Sequence, residues 1–306
     1  MTVPLVWLPF DSDRLGDSPP GLRYQKVFPA PGEELPASVD EVEFYVPPYQ
    51  LGAKGNDLLA RMPRLRVVQT LTAGVEHIRA AVPDGVTLCN GRGIHDTSTA
   101  ELVLALTLAS LRGIPAFVRE QDRQVWDQRS LPALADKRVL IVGYGSIGEA
   151  IERRLLPFEV DVVKVARRAR PDVHGFEDLR SLVPEADVVV LVVPLTEQTR
   201  GMADAAFLSS MKDDALLVNV ARGAVVDTDA LLAELRTERI AAALDVFDVE
   251  PLPAGHPLWS APRLLISPHV GGASSAMWPR AYRLVREQLG RFAAGEPLAN
   301  QMTGDY

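Results

Sequence analysis

The sequence predicts an α/β protein built from two doubly wound domains, and three observations carry that expectation. Short, continuous runs of Val, Leu and Ile recur along the chain, each bounded by Gly or Pro and alternating with helical patterns. A G-x-G-x-x-G turn lies between one such run and a helix, near the middle of the sequence. The 306 residues suit two domains of roughly 100 to 200 residues each.

Taken in order, the first ninety or so residues offer the apolar runs "VPLVWLPF", "EVEFYVP", "LRVVQTL" and "VTLCN", linked by short helical patterns such as "NDLLARMP". The opening "MTVPLVWLPFDSD" has no basic stretch and carries two prolines, so a first strand is expected rather than a signal peptide. "TSTAELVLALTLASLRG" predicts a helix with Thr97 or Ser98 as N-cap, Glu101 as capping-box partner and Gly113 just past its end. Being apolar almost all round, that helix is expected between two bodies, at a domain crossover.

Beyond it, "KRVLIVGYGSIGEAIERRLLPF" runs from strand through glycines into helix. "DVVKVA", "ADVVVLVVP", "ALLVNVA", "IAAALDVF" and "RLLISPH" then alternate with helices such as "TDALLAELRTER", which predicts a parallel sheet covered on both faces. After His269, "GGASSAMWPRAYRLVREQLGRFAAGEP" predicts a helix returning to the first domain. The expected division is therefore residues 1–93 with 274–306 as a smaller domain and 94–273 as the larger, with a cleft between them.

Composition narrows the class. With 47% hydrophobic residues and a net charge of -8, a sizeable core is possible and a nucleic-acid surface spread over the chain is not. Any basic site must be local. The single cysteine, Cys89, forms no internal disulfide and fits a buried position in a reducing compartment, so a cytoplasmic protein is expected. No apolar run approaches the roughly 18 residues a membrane span requires.

Gly143, Gly145 and Gly148 set the glycine spacing. The first permits a tight turn, the second lets backbone approach a pyrophosphate, and the third lets helix pack close on strand. Free N–H groups at the helix N-terminus then favour the phosphates of a dinucleotide. With strand before and helix after, the larger domain is expected to be a Rossmann domain binding NAD(P).

The next strand ends in "KVARRARP", residues 164–171. An Asp or Glu here would receive the 2′-hydroxyl of NAD, whereas arginine accommodates the 2′-phosphate of NADP. The acid position is held by Ala166, followed by Arg167 and Arg168. Each charge-assisted bond to the phosphate is worth roughly 1.5 to 3 kcal/mol, so two arginines favour NADPH over NADH by about tenfold to several hundredfold after desolvation. A solvated basic loop is the alternative, and Arg170, before Pro171, reads as a bystander.

Three segments, "NVARGAVVD", "ALDVFDVEPLP" and "SPHVGGASS", each follow an apolar strand, and ligands of doubly wound sheets bind at that edge. Arg222, Asp245, Glu250 and His269 could thus converge. Reducing a 2-oxo acid requires a hydride donor, a cation for the carboxylate and a proton donor for the developing alkoxide, which these residue types can supply. His77, His95, His174 and His256 lack such company, and no metal-ligand spacing is present.

With these motifs in this order, the chain resembles the D-isomer-specific 2-hydroxyacid dehydrogenases, over about residues 66 to 290. The resemblance implies a smaller, flavodoxin-like substrate domain beside the Rossmann domain. It implies Arg222 as substrate anchor, Glu250 as the partner of His269, and His269 as acid or base. "LTAGVEHI" matches the family's substrate loop, with the N–H groups of Ala73, Gly74 and Val75 receiving the carboxylate. Asp245 would hold the nicotinamide carboxamide, and Ser146 and Ile147 the pyrophosphate. Val193, Pro194 and Thr199, then Val220, Ala221 and Gly271, would line the cofactor.

The implied activity is reduction of glyoxylate or hydroxypyruvate to the D-2-hydroxy acid, with NADP(H) preferred and NAD(H) possible. The presence of Glu250 disfavours formate oxidation, for which relatives use Gln; Glu76 stands where many relatives carry Asp. A dinucleotide-sensing corepressor-like protein and an NAD-linked phosphoglycerate-type dehydrogenase are the alternatives. A homodimer through about residues 100 to 135 is expected from the family, although "LRGIPAFVREQDRQVWDQ" could equally be a solvated helix.

Overall fold

The computed structural model describes residues 3–28, 34–49 and 52–303. The chain divides into two compact units, Met1–His95 with Ser275–Tyr306, and Asp96–Ser274. The first unit holds β1 (Leu5–Leu8), β2 (Arg23–Lys26), β3 (Val42–Tyr45), β4 (Val67–Gln69) and β5 (Thr87–Cys89). The second opens with α1 (Asp96–Leu111) and α2 (Ile114–Asp122), then β6 (Arg138–Val142), α3 (Ser146–Leu155), β7 (Asp161–Val165), α4 (Leu179–Leu182) and β8 (Val188–Leu191). It continues through α5 (Ala205–Ser210), β9 (Leu216–Asn219), α6 (Thr228–Arg236), β10 (Ala241–Leu244) and β11 (Leu264–Ile266); α7 (Met277–Ala294) then belongs to the first unit.

Both sheets are parallel. The smaller has five strands in the order β2-β1-β3-β4-β5, the flavodoxin-like arrangement, and the larger six in the order β11-β10-β9-β8-β6-β7. Parallel strands need covering on both faces, which is why β1 reads "LVWL" without a polar residue. Leu5 and Trp7 point to a core with Tyr45 and Val68, while Val6 and Leu8 join Phe44 and the α7 residues Met277, Ala281, Val285 and Leu289. Those four helix positions recur every four residues, and a fully buried leucine of this kind contributes about 1.5 to 3 kcal/mol.

In the larger unit the alternation is the same. Leu140 and Val142 of β6 face one core, with Leu208, Leu231 and Leu235 from α5 and α6. Val139 and Ile141 face the other, with Val103 and Leu106 of α1 and Ile151 of α3. Leu102, Leu104 and Leu108 pack partly buried on that same core, so the all-round apolar character of α1 serves its own unit. Among the described residues no single helix is long and apolar enough to cross a membrane; α1 and α2 pass that test only as a pair bent by 64°.

One local expectation changes. α1 begins at Asp96, which places Thr97 and Ser98 inside its first turn rather than at a cap. Ser98 Oγ instead shares a hydrogen bond with Ser274 Oγ at 2.5 Å, and Glu101 is exposed, 3.6 Å from Arg154. The helical pattern at "NDLLARMP" is present as a 3-10 helix, Gly52–Arg61.

Candidate active site

Because every strand of the larger sheet runs the same way, the segments following them emerge along one edge. β6 and β8 lie side by side although β7 separates them in sequence, so the chain reverses direction of growth between them. That switch point is where a crevice opens in a doubly wound sheet. The glycine turn follows β6, and Val193 and Pro194 follow β8.

Each glycine of the turn has a distinct environment. Gly143 has φ +113°, and a Cβ on it would stand 2.5 Å from Val192 O. A Cβ on Gly148 would stand 2.7 Å from Gly143 O, so α3 can pack this close only without a side chain there. Gly145 is different. It is exposed, in extended backbone, and a Cβ on it would meet nothing within 4 Å. Protein packing gives no reason for that glycine, whereas a phosphate group lying over the start of α3 does. The half-buried Ser146 and Ile147 open that helix and bring its N-terminal N–H groups to the same place. This cradle fits a dinucleotide pyrophosphate.

The other cofactor candidates are ordered by the loops themselves. Val193 is buried and Pro194 exposed; Thr199, 2% exposed, donates its hydroxyl to Pro194 O at 2.7 Å and accepts from Thr196 N at 2.8 Å. Val220 and Ala221 are buried beyond β9, with Ala221 N held by Asn219 Oδ1 at 3.0 Å. Past β7, Ala166 is buried while Arg167, Arg168 and Arg170 are exposed. Arg170, set aside as a third phosphate contact, has a partner of its own: its Nη2 donates to Tyr144 O inside the glycine turn at 2.7 Å.

Arg222, Asp245, Glu250 and His269 come together beyond β9, β10 and β11. Glu250 Oε2 lies 2.6 Å from His269 Nδ1, and Glu250 Oε1 accepts from Phe247 N at 2.9 Å. The bond and then the charge of Glu250 raise the His269 pKa against burial and against Arg222, which lower it. Burial pushes the Glu250 carboxyl up, but the bonds from His269 and Phe247 N–H and the charges of His269 and Arg222 outweigh it, leaving its pKa below the ordinary value. An ionised carboxylate beside a readily protonated imidazole is an acid–base pair poised near neutrality.

Arg222 sits on a turn that only glycine can follow. A Cβ on Gly223 would collide with the backbone of Phe247 and Asp248, so Gly223 is what lets the arginine turn dock against the Glu250 segment. Asn219 Nδ2 holds Arg222 O at 3.0 Å, and Arg222 Nη1 donates to Ala221 O at 2.6 Å. Asp245 is 2% exposed, and its carboxylate takes Ser267 Oγ at 2.6 Å, Val270 N at 2.9 Å and Gly271 N at 2.8 Å. In this structure it organises the His269 loop. His269 itself has φ +53°, a left-handed conformation that those bonds and its N–H to Asp245 O at 2.8 Å enforce.

Within the smaller unit, Ala73, Gly74 and Val75 follow β4. Thr72 O accepts Gly91 N at 2.7 Å, Ala73 O accepts Asn90 Nδ2 at 2.9 Å, and Gly74 O accepts Thr72 Oγ1 at 2.7 Å. Each of these carbonyls shares a planar peptide with the next N–H, so holding it fixes the directions of the Ala73, Gly74 and Val75 N–H groups. A Cβ on Gly91 would stand 2.7 Å from Leu71 O, which explains the glycine after Asn90. His95 Nε2 lies 2.8 Å from Leu71 O, His174 pairs with Asp178, and His256 Nδ1 accepts from Leu258 N. Among the described residues no group of metal-ligand type is present.

Residues 104–271 match the family model described as "D-isomer specific 2-hydroxyacid dehydrogenase, NAD binding domain". The chain belongs to the D-isomer-specific 2-hydroxyacid dehydrogenases. It is 33% identical to a glyoxylate reductase of Thermofilum pendens, over 78% of this chain and 75% of that one. To the glyoxylate reductase/hydroxypyruvate reductase of Mus musculus it is 35% identical, over 69% and 68%. Among solved structures, a family member from Xanthobacter autotrophicus Py2 in complex with NADPH and MES has a TM-score of 0.83 at 33% identity, covering 99% of this chain and 98% of that one. An NADPH-dependent glyoxylate/hydroxypyruvate reductase from Sinorhizobium meliloti, in complex with NADP and sulfate, also has a TM-score of 0.83, at 26% identity and 98% of each chain.

Three positions of this dehydrogenase escaped the sequence reading: Asn90, Asn219 and Ser267. Each follows or ends an apolar run, "VTLC", "ALLV" and "RLLI", and each spends its side chain on the loop that carries a candidate site residue. A polar residue at the end of an otherwise apolar strand is the signal that could have found them.

Proposed function

We propose that this dehydrogenase reduces a small 2-oxo acid of the glyoxylate or hydroxypyruvate class to the D-2-hydroxy acid, with NADP(H) preferred and NAD(H) accepted less well. The observation that carries the reading is the Glu250–His269 pair at 2.6 Å beside Arg222, on the same sheet edge as the glycine cradle. The relatives named glyoxylate reductase, and the solved neighbours holding NADPH or NADP, support the same substrate and cofactor class.

The start of α3 would hold the pyrophosphate of a bound dinucleotide, and Arg167 and Arg168 its 2′-phosphate; such a cofactor, when reduced, would supply the hydride that the carbonyl carbon needs. Arg222 forks onto the substrate carboxylate and draws charge toward the carbonyl oxygen. The N–H groups of Ala73, Gly74 and Val75 receive the other carboxylate oxygen. Glu250 occupies His269 Nδ1, which leaves Nε2 to deliver the proton to the developing alkoxide. Glu250 keeps its charge and holds the imidazolium form in reserve.

A panel of 2-oxo acids assayed with NADPH and with NADH tests the proposal. Turnover of glyoxylate or hydroxypyruvate with NADPH, faster than with NADH, is expected. Tight cofactor binding with negligible turnover of every acid would instead indicate a dinucleotide sensor, and NAD+-linked oxidation of a phosphorylated hydroxy acid a phosphoglycerate-type enzyme.

A homodimer through residues 100–135 belongs to the same proposal. Ile114 and Val118 on α2, then Val125 and Trp126, are exposed apolar side chains, Trp126 at 94%. The lone, buried Cys89 suits a reducing compartment, in keeping with a cytoplasmic enzyme.

A further inference from the structure

The glycine turn and the basic turn after β7 are joined by a side chain. The backbone of the glycine turn is held from below, where Gly143 N and Tyr144 N both donate to Val165 O, at 2.9 and 2.8 Å. At its crest Gly145 N donates to Gly143 O at 2.9 Å, and Tyr144 O accepts Arg170 Nη2 at 2.7 Å. The Tyr144–Gly145 peptide is thus gripped on both sides, immediately before Ser146 opens α3.

Arg170 is itself well placed to grip. Its backbone exchanges two 2.9 Å hydrogen bonds with Val173 around Pro171 and Asp172, a narrow hairpin, and His174 beyond it bridges back in parallel to Val165, with Ala166 N donating to His174 O at 2.9 Å. The Tyr144 ring has two cations on it: the Arg170 guanidinium and the Lys164 ammonium each lie 5.5 Å from its centroid. Lys164 pairs with Glu152 of α3 at 3.1 Å, and the Tyr144 hydroxyl donates to the same carboxylate. Turn, hairpin and helix are therefore connected through one aromatic residue.

We infer that Arg170 is a positioning residue for the glycine turn, setting dinucleotide affinity without regard to the 2′-phosphate. By holding the peptide that precedes α3 it aims the first helical N–H groups, and these serve the pyrophosphate, which NADPH and NADH share. Arg167 and Arg168, just before that hairpin, serve the group found in NADPH alone. The inference rests on the dinucleotide site proposed above.

The test compares dissociation constants for NADPH and NADH, by nicotinamide fluorescence, and KM and kcat for both, in Arg170→Ala, Arg170→Lys and the Arg167→Ala/Arg168→Ala double variant. Arg170→Ala should weaken both cofactors by a similar factor, about three- to tenfold for a charged donor in an exposed setting, with the loss in KM rather than kcat. Arg170→Lys keeps a donor and should recover most of it. A loss confined to NADPH would make Arg170 a phosphate contact, and no loss with either cofactor would make it a solvated side chain; both overturn the inference. Should the double variant keep its preference for NADPH, the phosphate assignment fails while a shared loss in Arg170→Ala still stands.

Discussion

At the scale of single residues, the proposed mechanism gives the proton transfer to His269 and makes Glu250 set the pH at which His269 can act. Replacing His269 with Ala should lower kcat by on the order of a hundredfold or more, the usual share of a general acid; steady-state turnover near the parent value would remove it from that role. The carboxylate beside Nδ1 raises the His269 pKa, so the acid form persists above its ordinary titration near about 6.5. Reduction should therefore hold up at neutral pH and fall as pH rises through the raised value. Glu250→Gln removes the largest cause of that shift, and the falling limb of kcat/KM against pH should move toward acid. A limb that stays in place would show that Glu250 does not govern the titrating group.

At the scale of elements, the glycines separate what the fold requires from what a ligand requires. Gly143, with φ +113° and backbone 2.5 Å from where a Cβ would stand, is required by the fold. Gly143→Ala should cost about 1 to 3 kcal/mol or more and lower Tm visibly. Gly145, with nothing within 4 Å, is not. Gly145→Val should melt within a few degrees of the parent, because exposed substitutions usually change stability by no more than about 0.5 kcal/mol, yet lose affinity for both dinucleotides. Differential scanning fluorimetry beside cofactor titration reads both halves, and an unaltered affinity in Gly145→Val would remove the pyrophosphate from that turn. The glycine spacing was legible in the sequence, but the split between the two roles was not, since it depends on what stands opposite each Cα.

At the scale of the whole molecule, the parallel strands bring distant motifs to one edge of each sheet. Arg222, Asp245 and His269 are far apart in sequence and adjacent in space because β9, β10 and β11 are neighbours pointing the same way. If α2 and the segment after it form a dimer contact, sedimentation should give twice the 33.3 kDa chain mass, and Trp126→Glu with Val118→Glu should shift it toward monomer. A parent protein that sediments as a monomer at assay concentration would end the dimer proposal.

The sequence by itself determined the α/β class, the run of strands and helices, the glycine turn and the motif residues Arg222, Glu250 and His269. Those features are written in local periodicity and spacing, and each strand's burial on both faces leaves an uninterrupted apolar run. Only the tertiary structure decided what the side chains do to one another: that Asp245 orders the His269 loop, that Asn90 and Asn219 hold the loops beside them, that Ser98 is no cap, and that Arg170 grips the glycine turn. Hydrogen bonds between residues from different elements depend on the register of strands and the reach of side chains, and neither follows a period along the chain.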